Sequence, residues 1–113
     1  MAAGMAARAM SLWRMAARKD VTHAEVVGAL RAHGCSVHAW SGPGCPDLVV
    51  GLHGVTHLVE VKRPLGNNGG LAGRDLNPRQ RAWHAAWRGS KPWIIRSASE
   101  AVEWVRARME DES

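Results

Sequence analysis

The stretch "GCPDLVVGLHGVTHLVEVKRP", residues 44–64, constrains the fold more than any other part of the chain. Two apolar, β-branched runs flank His53-Gly54. Such a pair suits a two-residue hairpin turn, with Gly taking φ > 0 at the second central position, although His at the first is unusual. A hairpin turning there sets Leu52 against Val55, Val50 against His57 and Asp47 against Glu60. Side chains directly opposite lie about 4.5–5.5 Å apart at Cβ and project to one face of the sheet. Two carboxylates therefore meet. Lys62 shares the face of Glu60, because strand side chains alternate, and Val59 and Val61 point the other way, into a core.

Like charges in that position destabilise a hairpin, by about 4 kcal/mol at 4 Å with an effective dielectric near 20. Three arrangements offset the repulsion. One carboxyl stays protonated, Lys62 sits between the two, or a divalent cation bridges them. Two acids and a backbone carbonyl form a hard oxygen set suited to Mg²⁺ or Mn²⁺. The cation also fits the basic surroundings, since it can hold a phosphate. The chain uses twelve Arg and only three Lys. The lysine at 62 is thus a compact point charge where a planar guanidinium is the chain's habit. Its bland reading is a solvated strand-end lysine.

The remaining elements follow from caps and breakers. Asp20 to Ala32 reads as a helix, capped by Asp20 or Thr22, with Val26, Val27 and Leu30 as its apolar stripe and Gly34 as its stop. Residues 35–40 read as a short strand, and 41–46 as a Gly- and Pro-rich loop. Residues 64–77 hold four glycines and two asparagines ahead of the last one and read as a mobile surface loop. Asn77-Pro78 opens a helix to about Arg88, closed by Gly89, with Ala82, Trp83, Ala86 and Trp87 as its buried face. Residues 92–96 read as a strand. Ser97 with Glu100 makes a capping box for a last helix to about Arg108. The order is helix, three strands, helix, strand, helix, an α/β domain. It spans residues 20–109, between a basic leader, 1–19, that is flexible or helical, and an acidic tail, 110–113.

A chain of 113 residues makes one domain. No apolar run reaches 18 residues, so no membrane span is expected. Two cysteines make no disulfide framework and suit a reducing, cytoplasmic setting. The Arg-rich, acid-free leader leaves an organellar transit peptide, or a basic arm lying on nucleic acid, as alternatives. The net charge is +5, and from Arg63 to Arg96 seven basic residues meet one acid. A polyanion, above all nucleic acid, is the expected partner.

Pro46-Asp47, followed thirteen residues on by Glu60-Val61-Lys62, resembles the signature of the PD-(D/E)XK nuclease superfamily. Within it the chain is most similar to the small stand-alone virus-type replication-repair nuclease (VRR-NUC) domains of phages and bacteria, and more distantly to Holliday-junction resolvases. The resemblance covers about residues 20–105. It implies a restriction-endonuclease-like core with a mixed central sheet flanked by helices. It implies Asp47 and Glu60 as metal ligands with the Val61 carbonyl, and Lys62 as the group that positions or activates the attacking water. It also implies catalytic parts for Glu25, on the first helix, and Gln80, after the loop. Each has a plainer reading: an exposed helix carboxylate for Glu25, and a capping interaction behind Asn77 for Gln80. His84, one turn beyond Gln80, faces the same cleft or is a half-buried helix residue. Arg63, Arg74, Arg79 and Arg81 would grip flanking phosphates without reading bases.

The expected function is a Mg²⁺- or Mn²⁺-dependent endonuclease that hydrolyses DNA and selects junctions, flaps or ends in replication, repair or recombination. It needs no small-molecule cofactor. The family further implies a homodimer and the cytoplasm of a bacterium or a phage-infected host. The long glycine-rich loop 66–76 and the basic leader depart from the family pattern, which puts the substrate's shape in question. A non-catalytic nucleic-acid-binding module of the same fold is the alternative. A zinc site from His33, Cys35, His38 and Cys45 fits no compact knuckle spacing. Nothing in the sequence sets a His beside either thiol for nucleophilic catalysis.

Overall fold

A computed structural model describes residues 21–64 and 76–111. The leader, Asp20, Arg74 and most of the glycine-rich loop lie outside the described residues. The elements are helix α1 (21–32), strands β1 (Ser36–Ala39), β2 (Leu48–Leu52) and β3 (Val55–Val61), helix α2 (Pro78–Ala86), strand β4 (Trp93–Ile95) and helix α3 (Ala98–Asp111). The protein is mixed α/β, with four strands in the order β1-β2-β3-β4. The first two pairings are antiparallel, and β3 with β4 is parallel. A parallel pair needs a crossover, and α2 lies within it.

The hairpin register is the one read from the sequence: Leu52 pairs with Val55, Val50 with His57 and Leu48 with Val59. His53 and Gly54 take φ of 49° and 78°, both in the left-handed region a type I′ turn requires. This register gathers Leu48, Val50, Leu52, Val59 and Val61 on one face. Val37 of β1 and Ile95 of β4 join them. Val26 and Leu30 of α1, and Ala101, Trp104 and Val105 of α3, complete one buried cluster. The other face carries Val49, Leu58, Ile94 and Glu60.

Helix ends follow the expected chemistry, with differences. Gly34, at φ 93°, closes α1 while the Cys35 and Gly34 N–H groups return to the Leu30 and Arg31 carbonyls, a Schellman pattern. Thr22 is buried inside α1 and is not its cap. The Asn77 side chain accepts from Gln80 N–H, and the Gln80 side chain accepts from Asn77 N–H, a complete capping box. At α3 the Ser97 hydroxyl accepts from Glu100 N–H, but the Glu100 carboxylate reaches one residue further back, to Arg96 N–H. α3 runs past Arg108 to Asp111, with Arg108 paired to Asp111 at 3.0 Å. Glu110 and Asp111 are thus helical, not tail.

The expected buried face of α2 is not one. The helix ends at Ala86, short of Arg88, and buries no residue; Ala82, Ala86 and Trp87 are exposed and Trp83 is half-buried. Its tryptophans pack on Trp40, at the end of β1, instead of on the sheet. Among the described residues no helix is long and apolar enough to cross a membrane.

Candidate active site at the end of the hairpin

Asp47 sits one residue before β2, where two neighbours fix it. Trp40 N–H donates to its backbone carbonyl at 2.8 Å, which extends the β1–β2 ladder by one step. Its Oδ2 accepts from Val61 N–H at 2.9 Å across the hairpin. The carboxylate is thereby turned onto the end of β3. Pro46, just before it, is fully buried and removes one N–H that the turn would have to satisfy.

Glu60 is the unusual member. A strand-end carboxylate next to a second acid is expected to be partly wet, yet Glu60 is only 2% exposed. Its Oε1 accepts from Gln80 Nε2 at 2.6 Å and lies 3.7 Å from Lys62 Nζ. Its Oε2 is buried with no donor to it, and the Glu60 carboxyl hydrogen-bonds the Asp47 carboxyl. Burial first, then the Asp47 charge, push the Glu60 carboxyl up to about 7 from an ordinary 4.5, with Lys62 pulling the other way. Two of the three offsets to the repulsion thus operate together: a carboxyl that keeps its proton well above the usual range, and an ammonium beside it.

Gln80 joins the parts. Its Nε2 donates to Glu60, while its Oε1 accepts from Lys62 Nζ at 2.8 Å and from Asn77 N–H at 3.0 Å. The capping role and the site role are therefore not alternatives, since one amide does both. The site hangs on the start of α2, and Gly44 sets how closely that start approaches. A Cβ at Gly44 would lie 2.5 Å from the Arg79 carbonyl oxygen, and its φ of 78° also favours glycine.

The sequence-derived residues divide cleanly. Asp47, Glu60, Lys62 and Gln80 converge, and Val61 lies between two of them. Glu25 is exposed on α1, and no hydrogen bond or ion pair ties it to this cluster. Arg63, Arg79 and Arg81 are exposed, the first next in sequence to Lys62 and the other two on either side of Gln80. His84 is half-buried; burial, then the Lys91 and Lys62 charges, hold its imidazole below the ordinary value. Its Nε2 is buried without a hydrogen-bond partner.

Two neighbours escaped the sequence reading. Cys45 has its thiol pushed up by burial and by the Glu60 and Asp47 charges, so it is a neutral thiol beside two acids. Its signal was position alone, two residues before Asp47. Trp40 is 38% exposed and stands where β1 meets the site.

A divalent cation can be tested against this donor set. The Asp47 and Glu60 carboxyls, close enough to share a proton, offer adjoining oxygens that a divalent cation could bridge in the proton's place. Among the described residues no three His, Cys, Asp or Glu side chains converge as a metal-binding group. Two carboxylates, with a backbone carbonyl, waters and substrate oxygens, match the sparse protein contribution typical of Mg²⁺ and are too few for a structural zinc site. Comparison with known protein families, curated proteins and solved structures gives no match to this chain.

Proposed function

We propose that this protein is a metal-dependent endonuclease of the PD-(D/E)XK type, with a restriction-endonuclease-like core, acting on DNA phosphodiester bonds. One observation carries the reading: a buried Glu60 held against Asp47 and tied through Gln80 to Lys62. Two carboxyls forced together under burial cost stability, and the raised Glu60 carboxyl records that cost. Cost retained at one spot is typical of sites kept for chemistry.

In this reading Asp47 and Glu60, with the Val61 carbonyl, hold Mg²⁺ or Mn²⁺. Such an ion polarises a phosphoryl oxygen and lowers the pKa of a coordinated water. Lys62 brings positive charge to where negative charge develops on the phosphoryl group, and steadies the attacking water. Gln80 fixes the Lys62 ammonium by accepting one of its protons and leaves the other two to face substrate. Arg63, Arg79 and Arg81 hold the flanking backbone by charge, without reading base identity. That contact type favours recognition of DNA shape, as at a junction, flap or end. The homodimer expected from the family belongs to this proposal too.

The test is cleavage of linear, flapped and four-way-junction DNA with Mg²⁺, comparing wild type with Asp47→Ala. Loss of cleavage in the variant, with an unchanged melting profile, supports the reading. Equal activity in both proteins removes it. Salt-sensitive DNA binding without cleavage in either protein, indifferent to Mg²⁺ and EDTA, would make the chain a non-catalytic binding module of the same fold.

A further inference from the structure

Beside the candidate site stands an aromatic group outside the core cluster. Trp83 and Trp87 stack at 4.8 Å between ring centroids with planes 15° apart. Trp40 meets both edge-on, at 5.7 and 6.5 Å. Trp40 and Trp87 are each 38% exposed, and neither belongs to the core cluster. Three indoles account for a large area, and burying such rings is the usual way a small domain gains stability. Here they are spent at the surface.

Their position is specific. Trp40 N–H is bonded to the Asp47 carbonyl. Trp83 is three residues after Gln80 on the same helix. The group therefore adjoins the carboxylate pair. Its charge setting is one-sided: α2 carries Arg79 and Arg81 and no acid, and Arg88 and Lys91 follow it. Exposed indoles interleaved with cations, next to a phosphate-directed site, match the chemistry of a base-stacking surface. Cations hold the backbone and the rings take bases by their faces. A duplex hides those faces within its own stack. An unpaired nucleotide offers them.

We infer that Trp40, Trp83 and Trp87 form a stacking platform for an unpaired base next to the bond to be cut. The substrate class becomes DNA with single-stranded character at the cleavage point, such as a flap, fork or splayed junction. This inference rests on the nucleic-acid reading of the neighbouring site and adds the partner for its aromatic margin. Trp87 is the ring best placed to be tested, being exposed and just beyond the end of α2, so its removal spares the helix.

The experiment separates binding from cleavage. Fluorescence anisotropy is measured with labelled single-stranded oligothymidine and with a blunt duplex of equal length, in Ca²⁺ to suppress turnover. Wild type, Trp87→Ala, Trp87→Phe and Trp40→Ala are compared, with melting curves as a check on folding. Trp87→Ala is expected to weaken single-strand binding on the order of tenfold, the effect of losing one stacked base. Duplex binding should change less than about twofold, and Trp87→Phe should restore most of the single-strand affinity. Equal losses on both DNAs, or no loss on either, overturn the platform. A concentration-dependent dimer in sedimentation that Trp87→Ala dissolves would also overturn it, by assigning the rings to a second copy. Cleavage by wild type and Asp47→Ala is scored separately, so a failed platform does not imply a failed nuclease, nor the reverse.

Discussion

Gln80 holds Glu60 and Lys62 with the two ends of one amide, donating to the first at 2.6 Å and accepting from the second at 2.8 Å. The acid and the base of the site are thus oriented by a neutral group that competes with neither charge. Gln80→Ala is expected to lower cleavage about 10- to 100-fold, the range for loss of a group that orients a metal-site ligand. It also removes half of the capping box, at about 1 kcal/mol. Gln80→Glu separates the effects. It can still accept from Asn77 N–H and cap α2, but it sets a third carboxylate against Glu60. Cleavage should fall as far as in Gln80→Ala, and the melting temperature should drop more at pH 8 than at pH 5, where Glu60 keeps its proton to share.

The raised Glu60 carboxyl makes stability depend on pH in a defined direction. The folded chain keeps a proton up to about 7 that the unfolded chain loses near 4.5. Between these values the folded state binds more protons, so stability in EDTA falls as pH rises through the window and levels off above it. The drop is on the order of 3 kcal/mol. Glu60→Gln carries no such proton, so it should melt at about 5 °C or more above wild type at pH 8 in EDTA and lose the slope below pH 7. Added Mg²⁺ should raise the wild-type melting temperature at pH 8 and leave that of Glu60→Gln unchanged. Thermal melts across pH 4–8, with and without Mg²⁺, check both statements.

Gly44 sets the spacing between the loop ahead of Asp47 and the start of α2. An alanine there would place Cβ 2.5 Å from the Arg79 carbonyl oxygen and 2.8 Å from its carbon, at a φ of 78°. Gly44→Ala is expected to cost well over 1 kcal/mol, from the backbone strain alone. Displacing Arg79 also moves Gln80, so surviving folded protein should cleave more slowly than wild type. Urea unfolding, paired with activity per folded molecule, tests the two parts.

His53 is the one non-glycine among the described residues with positive φ, at 49°. A left-handed conformation costs most L-residues about 1–2 kcal/mol, and asparagine adopts it more readily. His53→Asn creates the Asn-Gly pair favoured by type I′ turns. It should stabilise the protein by about 0.5–1 kcal/mol in urea and leave cleavage unaltered, because the turn lies at the far end of the hairpin from Asp47 and Glu60.

What the sequence reveals of this molecule depends on how local the cause is. The hairpin was legible because a turn pair and two alternating apolar runs fix one register, and that register alone brings Asp47 to Glu60. The capping box at Asn77 and the stop at Gly34 were legible for the same reason: each involves residues a few places apart. The burial of Glu60 was not, since its cover comes from Gln80 of α2, across a loop whose path no periodicity records. The Ala82, Trp83, Ala86 and Trp87 stripe misled for a related reason. Helical spacing says which residues share a face, not whether anything lies opposite to receive it. Glu25 had the expected place in the chain order, yet the face of α1 that packs is set by Val26 and Leu30, and Glu25 is left in solvent.

The double duty of Gln80 links two processes usually considered apart. The side chain that starts α2 is the same one that binds the strand-borne acid and lysine, so fraying of the helix's first turn and disassembly of the Glu60–Lys62 pair are one event. A substitution at this position that spoils the cap also releases Glu60 and Lys62. A glutamine that a folding argument alone would let drift to glutamate is thereby held in place by its second employment.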